Sequence, residues 1–262
     1  MSNKRTAVVI PARYASTRFP GKVLAQLAGK PMIQHVFERA SASKADICLI
    51  AADDQRVIDA CKAFGATAIM TDPELPSGTD RIAAALKGID ADVVINVQGD
   101  EPLLPTEAIN SLIDRMLQDD SPEMATIGVQ GSREELDNPN KVKLVKSNSG
   151  RALYFSRSMI PFLRTGGEDM SVYLHWGIYA YKREILEKFV SLPAGKLENC
   201  EKLEQLRALE NDISIQVLIT NLESVGVDTP EDLERAEAKL IEKMKNMGIF
   251  EDMPETSQLT LF

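Results

Sequence analysis

The feature that most constrains the fold is a series of short apolar runs, each followed by a helical pattern. The run at residues 92–97 is almost continuously apolar, which is typical of a strand that helices cover on both faces. The first of the helical patterns begins at Pro31. This order predicts an α/β fold with a doubly wound, mostly parallel, Rossmann-like sheet. The predicted strands are 7–10, 47–51, 66–70 and 92–97, and helices are predicted at 79–86 and 106–117 after the last two.

The pattern changes after Asp120, where predicted strands follow one another closely. Asn148-Ser149-Gly150 is a hairpin turn signal, so we expect antiparallel pairing in this part of the chain. The predicted elements are strands at 124–129, 141–145, 151–156, 173–181 and 213–219, a helix at 198–210, a strand ending near Val227, and a long helix after Pro230. We therefore expect an α/β core at 1–120, an inserted antiparallel subdomain at 121–197, a return to the core at 198–247 and a flexible tail at 248–262.

Composition limits the classes of function. The chain has 262 residues, 44% of them hydrophobic, which suits a large α/β domain with a substantial core. It has no apolar run long enough to span a bilayer and no signal peptide at its N-terminus, so we expect a cytoplasmic protein without membrane partners. The three cysteines, Cys48, Cys61 and Cys200, form no CxxC pair and are expected to be reduced and mostly buried. A formal net charge of −9 disfavours nucleic acid as a partner.

The stretch PARYASTRFPGK, after the first strand, is rich in cations. Arg13, Arg18 and Lys22 lie in it, and no acidic residue precedes Glu38. A loop at the C-terminal end of the first parallel strand is where open α/β folds bind their ligands. Each charge-assisted contact to a phosphate oxygen is worth about 1.5–3 kcal/mol, so we expect a pocket for a polyanion. The alternative is a solvated basic loop.

Carboxylates stand directly beyond several predicted strands. Asp100, in Gln98-Gly99-Asp100, is well placed to hold Mg²⁺ against phosphate oxygens, although it could also be a simple turn residue. Asp228 could be a helix cap, and a metal role stays open. Asp53 or Asp54 could cap the second helix, and capping is the interpretation that we prefer for them.

Two further groups point to ligands. Ser77, Gly78 and Thr79, at a predicted helix start, could offer hydroxyl and N–H groups to an anion or a base edge. The strand at 173–181 alternates and so places its aromatic and polar residues on one side, namely Tyr173, His175, Tyr179 and Tyr181, with Gly177 among them. That face suits a sugar-sized ligand, and the alternative is a half-exposed strand with ordinary tyrosines.

The basic loop also points to a family. PARYASTRFPGK resembles the signature of the sugar-activating cytidylyltransferases. Six further blocks, in the family's order, extend the resemblance to the CMP-Kdo synthetase (3-deoxy-manno-octulosonate cytidylyltransferase) family over almost the whole chain. They are SGTDR, INVQGDEP, LYFSRSMIP, HWGIYAY, EKLEQLR and VGVDTPEDL. Each block alone is weak, whereas six in sequence are specific.

This resemblance implies a GT-A-like nucleotidyltransferase fold and the transfer of CMP from CTP to 3-deoxy-D-manno-octulosonate (Kdo) for lipopolysaccharide synthesis. It also implies Mg²⁺ on Asp100 and Asp228, and a homodimer built on the inserted segment. The implied binding residues are Arg13, Arg18 and Lys22 for the triphosphate, Ser77, Arg81 and Gln98 for the nucleotide, and Arg157, His175, Tyr179, Glu204 and Gln205 for the sugar. Arg13, Lys22 and Asp100 are the implied catalytic residues, and Arg157 is the natural partner of the sugar's carboxylate.

The chain departs from the usual family pattern at three positions. Leu75 stands where a histidine usually precedes the serine of SGTDR by two residues, Ala52 replaces a threonine, and Trp176 replaces an aliphatic residue. Ala52 and Trp176 lie beside the implied sugar site. A related sugar, such as the analogue with an amino group at the terminal carbon, therefore stays open as the substrate.

Two other functions fit the same architecture. A metal-dependent glycosyltransferase also places a carboxylate after a central strand, but it would use a D-x-D arrangement, whereas this strand ends in Gln98-Gly99-Asp100-Glu101. A non-catalytic nucleotide-binding module is disfavoured because the candidate metal carboxylates and the loop cations occur together. Separately, the last five residues, QLTLF, resemble the peptide with which bacterial proteins dock on the sliding clamp, although five residues in a tail also recur by chance.

Overall fold

A computed structural model describes residues 4–15, 19–164 and 170–246 of the chain, and a nine-stranded sheet lies at its centre. In chain order the strands are β1 (Thr6–Ala12), β2 (Gln26–Leu27), β3 (Lys30–Pro31), β4 (Ile47–Ala52), β5 (Ala68–Met70), β6 (Val93–Asn96), β7 (Met124–Gly131), β8 (Lys143–Lys146), β9 (Ala152–Ser156), β10 (Val172–Lys182) and β11 (Ile215–Thr220). The main path across the sheet is β11-β7-β10-β6-β1-β4-β5. β8 and β9 extend the sheet from β10, and β2 and β3 form a separate small sheet.

Parallel and antiparallel pairs divide the main sheet into two parts. β5, β4, β1 and β6 pair in parallel, and β11 is parallel to β7. β10 lies antiparallel between β6 and β7, and β8 pairs antiparallel with β9 and β10. The β8–β9 hairpin turns at Gly150, whose φ of +85° favours glycine. The predicted mostly parallel sheet with an antiparallel insertion is confirmed.

Helices cover both faces of this sheet. In chain order they are α1 (Met32–Ser41), α2 (Gln55–Ala63), α3 (Gly78–Ala85), α4 (Thr106–Gln118), α5 (Arg183–Ser191), α6 (Lys196–Glu201), α7 (Leu206–Glu210) and α8 (Pro230–Asn246), with a short 3₁₀ helix at Lys22–Leu24. Along β1, Val8 packs into a core with α1, α2 and α4, and Val9 packs into a second core with α3, α5 and α7. Burial on both sides explains the continuously apolar strands. None of the helices in the described ranges is long and apolar enough to cross a membrane.

A third, smaller core fixes the start of the last helix. Ala236 and Leu240 of α8 pack with Leu27 and Leu103, so the helix lies over the small β2–β3 sheet. Val227, just before α8, is buried in the same cluster. The position of Asp228 next to it is therefore set by packing as well as by polar contacts.

Some predicted boundaries are wrong. The strand expected to stop at Pro11 continues to Ala12. Beyond Val9, β1 pairs only with β4. Proline has no N–H to donate toward the β6 side, and since β6 no longer pairs there, no hydrogen bond is lost. The strand expected to end near Val227 does not form, and residues 221–227 are irregular.

The helix predicted at 198–210 is also wrong, because it is broken into α6 and α7. Lys202 ends α6 with a left-handed φ of 53°, and α7 starts only at Leu206. Leu203, in the break, is buried in the second core, and Thr79 of α3 donates a hydrogen bond to Glu204. These tertiary contacts override the local helical pattern. α6 buries none of its residues, so Cys200 is exposed rather than buried as expected.

Gly99 gives a test of how closely the ends of β1 and β6 approach each other. A methyl group at this position would lie 2.8 Å from the carbonyl oxygen of Pro11, which is inside the contact distance. We expect Gly99→Ala to lower the free energy of unfolding by about 1–3 kcal/mol, measured by urea denaturation. Gly177→Ala is the control, because in the described part of the chain no atom outside Gly177 and its two chain neighbours lies within 4 Å of the added methyl group. Equal destabilisation of the two variants would contradict the close approach.

Candidate active site

Lys22 brings two distant carboxylates together at the C-terminal edge of the parallel strands. Its Nζ lies 2.8 Å from Asp100 Oδ2 and 3.2 Å from Asp228 Oδ1. Asp100 follows β6 and Asp228 lies just before α8, so three separate segments meet at one nitrogen. The side chain of Lys22 is 10% exposed, whereas those of Asp100 and Asp228 are 34% and 51% exposed. The carboxylates therefore reach solvent beside a largely buried cation.

Backbone contacts fix these three segments as well. Gly21, with a φ of +69°, donates its N–H to the carbonyl of Tyr14 at 3.0 Å and leads into the 3₁₀ helix that carries Lys22. The N–H of Val227 donates to the carbonyl of Asp100 at 2.9 Å. The two aspartate segments are thus joined directly, and their proximity does not depend on Lys22 alone.

The structure separates Asp228 from the capping of α8. Asp232 Oδ2 accepts the N–H groups of Asp228 and Thr229, each at 3.0 Å, and Thr229 Oγ1 accepts the N–H of Asp232 at 3.3 Å. Thr229 and Asp232 therefore satisfy the helix start between them. The carboxylate of Asp228 instead contacts Lys22, so the capping role considered for Asp228 is wrong.

Glu101 is a third acidic group at this site, and the sequence analysis gave it no role. Its carboxyl is shielded from solvent close to the two aspartates and accepts a hydrogen bond from Ser224 Oγ at 2.6 Å. Burial raises the pKa of Glu101 to about 7, and the negative charges of Asp100 and Asp228 act in the same direction. Its position directly after Asp100 was the available signal, but sequence does not distinguish a buried carboxyl from an exposed one.

The donor set of the aspartates fits Mg²⁺. Both are carboxylates, both are partly exposed, and both have an oxygen within 3.2 Å of the same nitrogen. Within the described ranges no group of three or more acidic, histidine or cysteine side chains forms a ready metal cage. Mg²⁺ usually keeps several waters and binds through one or two carboxylates plus substrate phosphates, which two aspartates beside a basic loop can provide.

Arg13 and Arg81 share one carboxylate. Asp53 Oδ2 lies 3.9 Å from Arg13 Nε and 3.5 Å from Arg81 Nη2. The Arg13 side chain is 48% exposed, whereas Arg81 is fully buried, so the structure places Arg81 behind the loop and not at its surface. Asp54, not Asp53, caps α2 by accepting the N–H of Arg56 at 2.8 Å. The prediction that one of these two aspartates caps α2 is confirmed, and Asp54 is that residue.

The other predicted nucleotide-binding residues lie along the same edge. Ser77 is the N-cap of α3, and its Oγ accepts the N–H of Thr79 at 3.1 Å and that of Asp80 at 3.2 Å. Gln98, after β6, donates to Asn96 Oδ1 at 2.7 Å. Arg18 and the QLTLF tail lie outside the described residues.

The predicted alternation along β10 is confirmed, but its aromatic face is more enclosed than expected. Tyr179 and Tyr181 are buried in the second core, and the His175 ring lies 5.3 Å from that of Tyr179. His175 Nε2 forms a hydrogen bond with Thr126 Oγ1 at 3.0 Å. Burial lowers the pKa of His175 to about 3, so the ring is neutral at physiological pH.

Glu204 and Gln205 lie in the break between α6 and α7, next to this aromatic face. Glu204 Oε2 accepts from Thr79 Oγ1 at 2.5 Å. Glu204 Oε1 and Gln205 Nε2 are buried and have no hydrogen-bond partner among the described residues. Buried polar atoms are usually paired, so these two are candidates to bind a polar ligand.

Arg157 has a different set of neighbours. Its Nε donates to the carbonyl of Glu201 at 2.8 Å and its Nη1 to that of Pro139 at 3.0 Å. Its backbone N–H donates to Glu201 Oε2 at 2.8 Å. Its Nη2 also donates to the carbonyl of Lys202 at 3.5 Å, so each of the three guanidinium nitrogens has a backbone carbonyl as partner, which the sequence gave no means to foresee.

Comparison with known proteins finds relatives across most of the chain. The family described as cytidylyltransferase matches residues 7–215. A 3-deoxy-manno-octulosonate cytidylyltransferase of Chloroherpeton thalassium is 47% identical over 245 residues, which cover 92% of this chain and 100% of the relative. An 8-amino-3,8-dideoxy-manno-octulosonate cytidylyltransferase of Shewanella frigidimarina is 49% identical over 242 residues, covering 90% and 98%. A solved structure of CMP:2-keto-3-deoxy-manno-octonic acid synthetase complexed with CTP matches with a TM-score of 0.88 at 41% identity, over 91% of this chain and 99% of that one.

The depressed pKa of His175 predicts a specific dependence of stability on pH. The unfolded chain binds a proton at His175 below about pH 6.5 and the folded chain does not until about pH 3, so acid favours unfolding across this window. In His175→Gln this contribution is absent. We measure the free energy of unfolding by urea denaturation at pH 7.5 and at pH 5. Between these two values we expect it to fall by about 2 kcal/mol more for the wild type than for the variant.

Tyr179→Phe serves as the control, since burial keeps the pKa of Tyr179 far above this range. Its unfolding free energy should differ from that of the wild type by a constant amount between pH 5 and pH 7.5. A constant difference for His175→Gln as well would show that His175 is not held neutral by the fold.

Proposed function

Because this chain belongs to the cytidylyltransferase family, whose members are nucleotidyltransferases, we propose that it transfers CMP from CTP to the anomeric hydroxyl of Kdo and releases pyrophosphate. The observation that carries the proposal is the meeting of Lys22 with Asp100 and Asp228. A cation and two partly exposed carboxylates at the C-terminal edge of a parallel sheet suit a nucleoside triphosphate that binds with Mg²⁺. The names of the similar proteins support CTP as the donor and a manno-octulosonate as the acceptor.

The reaction forms a bond between the sugar's anomeric oxygen and the α-phosphorus of CTP. The bond from that phosphorus to the bridging oxygen of pyrophosphate breaks, and the hydroxyl loses its proton. Such a displacement needs charge neutralisation and alignment but no protein nucleophile. Burial raises the pKa of Cys48 to about 12 and that of Cys61 to about 11, so both thiols stay protonated at neutral pH.

In this proposal the basic loop holds the triphosphate. Arg13 is exposed enough to reach a phosphate, and Arg18 and Lys22 belong to the same loop. Asp100 and Asp228 would hold Mg²⁺. The ion, when bound, neutralises phosphate charge and favours departure of pyrophosphate. Ser77 and Gln98, at the ends of neighbouring elements, approach the nucleotide, while Arg81 acts from beneath the loop.

The sugar is proposed to bind against β10 and the break between α6 and α7. Glu204 Oε1, which lies 3.9 Å from Arg207 Nη2 but accepts no hydrogen bond among the described residues, and Gln205 Nε2 offer one acceptor and one donor group to sugar hydroxyls. His175 and Tyr179 supply the aromatic wall, and a neutral His175 avoids placing a buried charge there. Arg157 would pair with the sugar's carboxylate through the N–H groups that backbone carbonyls leave unused.

The sugar with an 8-amino group is a second candidate acceptor. The relative named for it is as similar to this chain as the one named for Kdo, at 49% and 47% identity. Of the three departures from the family pattern, Leu75 lies in the loop before α3, whereas Ala52 is buried in the first core and Trp176 packs against it. Ala52 and Trp176 are therefore on the opposite face of the sheet from Tyr179, and the expectation that they lie beside the sugar site is wrong. We prefer Kdo, because the similar solved structure is named for that sugar.

We further propose that the protein acts in the cytoplasm as a homodimer, in lipopolysaccharide synthesis. Large apolar side chains on the inserted segment support the dimer, since Phe162 is 77% exposed, Met170 54% and Leu153 52%. Docking of the QLTLF tail on a sliding clamp stays a prediction.

The proposed reaction predicts pyrophosphate release from CTP and Kdo in the presence of Mg²⁺, and none from UDP-sugars. A panel with Kdo, its 8-amino analogue and other keto sugars, read by a coupled pyrophosphate assay, should give the highest kcat/KM for Kdo. A higher value for the 8-amino sugar would establish the second candidate instead. Turnover of a UDP-sugar without use of CTP would replace this proposal with a glycosyltransferase.

The proposed metal site predicts that Asp100→Ala keeps the fold and loses most of the turnover. We expect kcat to fall by roughly a hundredfold or more at saturating Mg²⁺, because one of the two carboxylates is removed. Asp114→Ala is the matched control, since Asp114 is an exposed carboxylate on α4 that pairs with Lys44. An unaltered rate for Asp100→Ala, with an unaltered circular dichroism spectrum, would refute the metal role.

A further inference from the structure

Asp53 is a buried carboxylate on which the basic loop rests. It follows β4, and its side chain is only 6% exposed. Its Oδ1 accepts the backbone N–H of Tyr14 at 2.8 Å, and its Oδ2 lies within ion-pair distance of Arg13 and Arg81. One carboxylate therefore contacts the backbone of the loop, a cation of the loop and a guanidinium from α3.

Arg81 fixes this carboxylate from behind. The residue is fully buried, and its Nη1 donates to Thr71 Oγ1 and to the carbonyl of Asp72 beyond β5. Its Nη2 lies 3.5 Å from Asp53. A buried guanidinium is unfavourable without a compensating negative charge, so Asp53 and Arg81 depend on each other. Together they connect the loop after β1 to the ends of β4 and β5.

Tyr14 links Asp53 to the end of the loop that holds Lys22. Its carbonyl accepts the N–H of Gly21, immediately before Lys22, at 3.0 Å. Its ring packs against the guanidinium of Arg56, 3.5 Å from the ring centroid. A shift of the Tyr14 backbone would therefore move the segments that carry both Arg13 and Lys22.

We infer that Asp53 is a positioning residue for nucleotide binding: with Arg81 behind it, it sets the direction of Arg13 and the path of the loop, and hence the affinity for the triphosphate of CTP. This inference rests on the function proposed above. The 3.9 Å between Arg13 Nε and Asp53 Oδ2 is longer than a hydrogen bond, so the half-exposed guanidinium is tethered but keeps its donors for a phosphate. Asp53 itself is shielded from solvent and acts through Arg13 and Tyr14.

The test compares CTP binding by the wild type and by Asp53→Asn, using calorimetry in the presence of Mg²⁺ together with KM values for both substrates. Asparagine keeps an oxygen for the Tyr14 N–H and removes the charge. We expect the Kd and KM for CTP to rise by about tenfold, the loss typical of one charge-assisted contact, with the KM for Kdo within about twofold. Asp59→Asn is the matched control, since it removes an exposed carboxylate charge on α2 that pairs with Lys62, and its CTP affinity should stay within about twofold of the wild type.

Two further variants separate positioning from a general effect on folding. Asp53→Asn combined with Arg81→Met removes both buried charges, which should restore stability while CTP binding stays weak. In an Arg13→Ala background, Asp53→Asn should weaken CTP binding by only about threefold or less, because residues that act through one another are not additive.

The outcomes are distinct. Recovery of CTP affinity together with stability in the double variant, or full additivity with Arg13→Ala, would overturn the positioning role. If the wild type binds CTP and Asp53→Asn binds it equally well, the positioning role is also overturned, whereas the proposed function stands. A wild-type chain that neither binds CTP nor releases pyrophosphate from it would overturn the proposed function and this inference together.

Discussion

The ion pairs of Lys22 with Asp100 and Asp228 join residues that are 78 and 206 positions apart in sequence. Bringing them together requires β1 and β6 to lie side by side and parallel, so that the loops after both strands leave the sheet at the same edge. It also requires α8 to return across the small β2–β3 sheet, where Val227 and Leu240 are buried. The two large cores on either face hold the strands in this order, and the site depends on all of these elements.

Charge is distributed unevenly around this junction. Lys22 and Arg81 are buried cations, and each has an aspartate within ion-pair distance: Asp100 for Lys22 and Asp53 for Arg81. Glu101, directly after Asp100 in the chain, has its pKa raised to about 7 by burial, which limits the negative charge that the site accumulates. The partly exposed groups, Arg13 and the carboxylates of Asp100 and Asp228, are those that a ligand can reach. The buried charged groups thus hold the solvent-accessible ones in fixed directions, as a preorganised phosphate site requires.

Much of this could be predicted from sequence, because it follows from strong local signals. The apolar runs predicted the parallel strands, and the residues directly after them predicted where Lys22 and Asp100 would lie. The motif series correctly indicated the family, since the cytidylyltransferase match spans residues 7–215. What sequence could not supply depends on tertiary contacts. The left-handed turn at Lys202 could not be predicted, because no glycine stands at that position. The sequence also does not distinguish Asp54, which caps α2, from the adjacent Asp53, which turns inward to the N–H of Tyr14.

The most direct test of this account is a crystal structure of the protein with Mg²⁺ and a CTP analogue that cannot release pyrophosphate. The account predicts the metal on the carboxylates of Asp100 and Asp228, with the triphosphate beside Lys22 and Arg13. A nucleotide bound elsewhere on the sheet, with those two aspartates free of metal and turned away from the phosphates, would contradict it.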